Sequence, residues 1–236
     1  MTLTRRNALW LMAVVLPVRP AAASDFPYSQ THSFTASRNG RPIGTHRLTF
    51  AGDDNRRVVT TTIDFAVQVA GITAYRYSHR GEEIWSTGRL LSLASKTDDN
   101  GKQHVVRATR TGDGLLVERE ATEPMLPMGV LEQSGLQRSA KGKETMPGDI
   151  VPTSHWNIRQ VKQSELLNSQ LGTKSKVSIT AVGREPVRTG TQTVEATRYR
   201  YGGDVMLEQW FDDKGRWVKM TFPASDGSTI EYTLQE

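Results

Sequence analysis

The sequence predicts an all-β, mainly antiparallel protein, folded as a strongly curved sheet or partly open β-barrel. Three observations predict it. Apolar and polar residues alternate with a period of two along many segments, the mark of a strand with one dry face. Tight-turn chemistry separates those segments, as in Asn39-Gly40, Asn100-Gly101 and Asp226-Gly227. One segment, Arg57 to Val69, is far longer than the usual strand of about 5–6 residues, and long bent strands suit barrels and curved sheets.

In chain order, Tyr28 to Phe34 and Ile43 to Phe50 form the first hairpin. Gly52-Asp53-Asp54-Asn55 turns the chain into Arg57 to Val69, where Ile63, Phe65, Val67 and Val69 alternate with Asp64, Ala66 and Gln68. Strands are expected over Thr73 to Ser78, Ile84 to Leu90, Leu91 to Thr97, His104 to Thr109 and Leu115 to Glu120. Short turns between all of them argue a meander, not a parallel sheet with crossover helices. Between 121 and 172 the pattern breaks: Pro124, Pro127, Pro147 and Pro152 punctuate it, and Ser164 to Leu171 reads as a short helix capped by Ser164. This insertion of loop and short helix is expected to lie across one end of the sheet or inside its curve. Strands resume at Lys174 to Val182 and continue as hairpins to the end. In Arg216 to Phe222, Val218, Met220 and Phe222 share one face while Trp217, Lys219 and Thr221 share the other.

Residues 1–23 have the plan of an export signal: Arg5-Arg6, an apolar run from Ala8 to Leu16, and Ala21-Ala22-Ala23 for cleavage. Thr4-Arg5-Arg6-Asn7-Ala8-Leu9 resembles the twin-arginine export motif, with Ala8 in place of the usual Phe; the general secretory route is the alternative. The apolar run is about half the roughly 20 residues of a spanning helix, so no permanent membrane anchor is expected. The expectation is therefore a single β-rich domain, residues 24–236, in the periplasm after cleavage near Ala23. The formal net charge is +5, but residues 1–23 hold three of the 30 basic residues and none of the 25 acidic ones. The processed chain is close to neutral, which argues against a nucleic-acid partner. With no Cys, no disulfide framework or thiolate metal site is available.

No catalytic constellation emerges. His32, His46, His79, His104 and His155 have no close ligand spacing and read as solvent-facing residues in polar strand positions, with His32 opposite His46 as the one two-ligand alternative. No metal site and no cofactor are expected. There is no G-x-S-x-G elbow, and Ser154-His155 reads as local turn chemistry. Asp53-Asp54, Glu82-Glu83, Asp98-Asp99 and Asp212-Asp213 are carboxylate pairs of the kind glycoside hydrolysis uses, but each reads as a turn. The aromatics say more. Trp85, Trp156, Trp210 and Trp217 either fill a sheet core or line an apolar groove, with Met125 to Leu131 as its lid.

Three stretches carry a family resemblance: Asn39-Gly40 with Ile43-Gly44, Trp85-Ser86-Thr87-Gly88-Arg89-Leu90, and Trp210-Phe211-Asp212-Asp213-Lys214-Gly215 with Asp226-Gly227-Ser228-Thr229-Ile230-Glu231-Tyr232. With the export signal, they resemble an uncharacterised family of exported bacterial β-rich proteins, of the domain of unknown function 6134 type. The resemblance implies a β-rich periplasmic domain and carries no activity and no catalytic residues. The expected function is non-enzymatic binding of an apolar small molecule or lipid, or of an envelope protein, with Trp85, Trp210, Met125 and Met128 as candidate ligand contacts. A structural interaction module is the alternative, and an envelope hydrolase using carboxylates or Ser154 and His155 is a third reading.

Overall fold

A computed structural model describes residues 26–124, 137–224 and 226–235. The strands are β1 (Thr31–Arg38), β2 (Arg41–Gly52), β3 (Arg57–Val69), β4 (Ile72–Ser86), β5 (Arg89–Asp99), β6 (Lys102–Thr111), β7 (Gly114–Pro124) and β8 (Gln137–Pro147). They continue as β9 (Val151–Pro152), β10 (Glu165–Leu167), β11 (Lys174–Arg188), β12 (Thr193–Gly203), β13 (Leu207–Asp212), β14 (Trp217–Pro223) and β15 (Thr229–Leu234). One five-residue 3₁₀ helix, η1 (Ile158–Lys162), lies between β9 and β10, with the Asn157 side chain accepting from the Arg159 amide. Among the described residues no helix is long and apolar enough to cross a membrane.

Among the described residues, fifteen strands form one sheet in the order β8-β7-β6-β5-β4-β3-β2-β1-β15-β14-β13-β12-β11-β10-β9. Two meanders, β1 to β8 and β15 back to β9, join where β1 pairs antiparallel with β15, Ala36 opposite Tyr232. Every pairing is antiparallel except β9 with β10. The sheet is not closed, since β8 and β9 are its two edges. Register shifts at Ala36/Ser37, Val67/Gln68, Ile84/Trp85, Ala181/Gly183 and Trp210/Phe211 bend it, because a bulge raises local twist. At Gly44 the backbones of β2 and β3 come so close that a Cβ would lie 1.9 Å from the Asp64 carbonyl oxygen.

Four expectations are corrected. Thr73 to Ser78 and Ile84 to Leu90 are not separate strands: β4 runs unbroken from Ile72 to Ser86, so Glu82-Glu83 sits mid-strand, and the turn falls at Thr87-Gly88, both with positive φ. The segment 121–172 holds more strand than its prolines suggest, because β7 runs to Pro124 and β8 pairs along its whole length. The helix expected at Ser164–Leu171 is instead β10 followed by a turn, with Asn168 Oδ1 accepting from the Gln170 and Leu171 amides. Adjacent Leu166 and Leu167 are both buried and paired to β9 and β11, and such pairing outweighs the weak propensity of so short a segment. Trp217 does not share a face with Lys219. The slip at Trp210/Phe211 sets it opposite Phe211, and its fully buried indole stacks on Phe34 with ring centroids 3.9 Å apart.

Residues 148–172 turn back into the curve. Val151, Trp156, Leu166 and Leu167 are buried there. The Tyr28 hydroxyl donates to the Trp156 carbonyl at 2.5 Å, Ser95 Oγ to Ser169 O at 2.6 Å and Arg119 to Gly172 O at 3.2 Å. This plug ties together strands that the sheet itself leaves unpaired.

Candidate functional site

Above the plug, the concave face encloses a cavity of about 810 Å³. Its wall follows from the register of β2 to β5, because residues opposite one another on neighbouring strands share a face. The deepest lining residues are Glu83 and Leu93, opposite one another, and the next row is Thr61, Gly81 and Ser95. Then come His46, Ile63 and His79, followed by Phe65, Tyr77 and Asp99. Val67 opposite Tyr75 leads to the β3–β4 tip, where Val69 on the rim is 57% exposed. Met220, Phe222, Ile230 and Tyr232 from β14 and β15 form the facing wall, with Met206, 68% exposed, at the lip. The cavity is thus apolar at its mouth and polar in its depth.

That polar end is unusual in its hydrogen bonding. His46 is 1% exposed, yet among the described residues neither ring nitrogen has a partner; the Tyr77 hydroxyl lacks one too, and Ser154 Oγ has none of normal geometry. The His46 ring lies 5.5 Å from Tyr232 and 6.4 Å from His155, centroid to centroid. His79 Nδ1 pairs with Thr97 Oγ1 at 2.8 Å. His155 comes from the plug with φ 71, and its carbonyl accepts from Gln209 Nε2 at 2.8 Å and Gln160 Nε2 at 3.0 Å. Burial pushes His79 and His155 down to about 4, and it holds His46 well below the ordinary imidazole range, since a desolvated imidazolium is disfavoured. Burial likewise pushes the Tyr77 phenol well up.

Glu83, 3% exposed, lies at the floor, and its Oε2 accepts from the indoles of Trp85 at 2.7 Å and Trp156 at 3.1 Å. Burial raises its pKa, with Ser154 and the two indoles opposing the rise. Ser154 is near enough to act on Glu83, but its Oγ makes no hydrogen bond of normal geometry. The His155 ring instead lies 5.2 Å from Trp217 and reaches Gln209 through Nδ1 at 3.4 Å. Ser154 and His155 are therefore neighbours in sequence that serve different surroundings, not a nucleophile with its base. Among the described residues no group of three or more His, Cys, Asp or Glu could hold a metal ion.

The candidate contacts fall as follows. Trp85 is buried beneath the cavity floor, its ring 5.4 Å from Trp156, and does not line the cavity. Trp210 does not line it either: its indole donates to Glu185 Oε1 at 2.7 Å and is covered by Lys219. Met125 and Met128 lie outside the described residues, as do the export signal over 1–23 and the apolar cluster expected as a lid. The solvent-facing reading of the histidines is corrected for His32, His46 and His79, all buried, and His32 opposes Leu48 rather than His46. Asp53, Asp98 and Asp212 do cap turns, each accepting backbone amides, whereas Glu83 does not. Parity would have located the missed residues, since His46 shares its face with Leu48 and Phe50.

The family model described as "Domain of unknown function (DUF6134)" matches residues 34–235. No curated protein sequence matches. Among solved structures, the chain resembles the crystal structure of a beta-barrel-like protein of domain of unknown function DUF1849 from Brucella abortus. The TM-score is 0.55 at 10% identity, over 86% of this chain and 93% of that one. At that identity the likeness is one of fold.

Proposed function

Since the chain belongs to the DUF6134 family, whose function is unknown, we propose on the geometry of the cavity that it is a non-enzymatic binding protein for one small amphipathic or apolar molecule. The observation that carries this is the concave cavity of about 810 Å³ with an apolar mouth and a polar depth, a size and lining typical of small-molecule sites. The exposed Val69 and Met206 at the rim suit exchange of an apolar molecule with a lipid phase or a carrier. The same rim supports the second reading, contact with an envelope protein. The export-signal plan of residues 1–23 supports a periplasmic setting as part of the proposal.

The test is a titration with N-phenyl-1-naphthylamine, an uncharged apolar fluorophore, against the wild type and Val67→Trp. Val67 is half-buried on the cavity wall, so the indole fills space without entering the close-packed core. One saturable site in the wild type, weakened by about tenfold or more in the variant at an unchanged unfolding temperature, is the expected result. No fluorescence gain, or equal gain in both proteins, overturns the reading.

A further inference from the structure

Three buried side chains of the cavity lining have hydrogen-bonding capacity left over: among the described residues neither nitrogen of His46 nor the hydroxyl of Tyr77 has a partner, and Ser154 Oγ has only the nearby Glu83 carboxylate, without normal geometry. Buried polar groups without partners are rare and call for an explanation, because leaving them unmet costs free energy. A neutral imidazole offers one donor and one acceptor, and each hydroxyl offers both. The imidazoles of His46, His79 and His155 are neutral at pH 8, as burial lowers all three. The set therefore presents mixed donors and acceptors with no fixed positive charge.

The charged groups of the lining disfavour one of the charged alternatives. Among the described residues Arg38 is the one arginine or lysine of the lining, at the mouth, and it is already ion-paired with Asp226. Glu82, Glu83, Asp99 and Asp204 are the other charged residues, and Asp99 is engaged by the Tyr75 hydroxyl at 2.7 Å. An anionic head would meet carboxylates and find no free cation. An ammonium head brings donors only, which leaves the donor half of the histidine and hydroxyl set unmet.

Resting on the binding reading above, we propose that the cavity selects a molecule with an uncharged polar head, of hydroxyl or carbonyl type. The head is seated against His46, with Tyr77 on the side of the mouth and Ser154 on the side of the floor, and the apolar tail runs past Phe65 and Val67 to the mouth. The head meets part of this polar set, and the tail covers the apolar side chains between it and the rim.

The experiment is displacement of N-phenyl-1-naphthylamine from the full chain at pH 8 by 1-decanol, decanoate or decylammonium. The three probes share one tail and differ in head. The expected result is displacement by 1-decanol at about tenfold lower concentration than by either ion. Tyr77→Phe, which removes one atom, and His46→Phe each reduce that preference by about threefold to tenfold. His46→Gln, which keeps a donor and an acceptor, retains it. Equal or better displacement by decanoate or decylammonium overturns the inference while leaving the binding reading intact. So does a preference for 1-decanol that Tyr77→Phe and His46→Gln leave alike. Absence of fluorophore binding removes both.

Discussion

Glu83 is the residue at which electrostatics and packing meet. Its carboxylate sits among two indoles at the junction of sheet and plug, and burial raises its pKa. A carboxyl whose folded pKa is raised contributes stability below its unfolded value, about 4.5, and loses it as pH rises toward the folded value. In Glu83→Gln one amide oxygen can take both indole bonds without a charge. The stability difference in favour of the variant is expected to open as pH rises from 4.5, measured by denaturant unfolding at steps from pH 4.5 to 8. A deficit of the variant that deepens as pH rises would mean that the ionised carboxylate is favourable there. The histidines act with the opposite sign: lowered folded pKa values make His79 and His155 lose stability as pH falls from 6.5 toward 4. Protonating His79 in the folded protein costs about 3 kcal/mol. Both proteins carry these groups, so they cancel in the difference. Alternation alone did not reveal these residues. Glu82-Glu83 has the composition of a turn, and only the unbroken course of β4 puts Glu83 on the inner face.

Among the elements, the contact between β2 and β3 is the most demanding. Gly44 opposes Phe65, and a methyl group at that position would strike the Asp64 carbonyl. Gly44→Ala is expected to destabilise the protein by about 1–3 kcal/mol, as overpacking does, read as a lowered unfolding midpoint with an unchanged m-value. By contrast Gly71, at the open β3–β4 tip, has nothing within 4 Å of a Cβ, and only its positive φ resists substitution. Alternation and turn residues made β1 to β3, β6 and the four C-terminal strands legible in the sequence. What they could not supply was register. Parity groups Trp217 with Lys219 and Thr221, but a slip of one residue inverts every side chain beyond it, and the bulge beside Phe211 has no signature in sequence. The Ser164 cap, with Leu167 and Leu171 in helical register and Gly172 beyond, reads as a helix because the three-residue β10 buries both Leu166 and Leu167 and leaves no alternation to see.

At the scale of the molecule, two meanders joined at β1 and β15 curl without closing, and residues 148–172 fill one end. The curled architecture was readable from strand count, strand length and turn chemistry. Whether its interior was filled or hollow was not, since a small inward-facing residue and a missing neighbour look alike in sequence. The hollow depends on particular residues: Gly81, Thr61 and Ser95 are small where the plug ends, and Val67 and Val69 stop short of the facing wall. The proposed function requires that this hollow hold a molecule in the working protein. Native mass spectrometry of the protein purified from a bacterial periplasm, repeated after organic extraction, tests it. One small molecule per chain, lost on extraction, with a lower occupancy in Val67→Trp, is the expected result. An unliganded mass throughout, with no gain when 1-decanol is added, would contradict it.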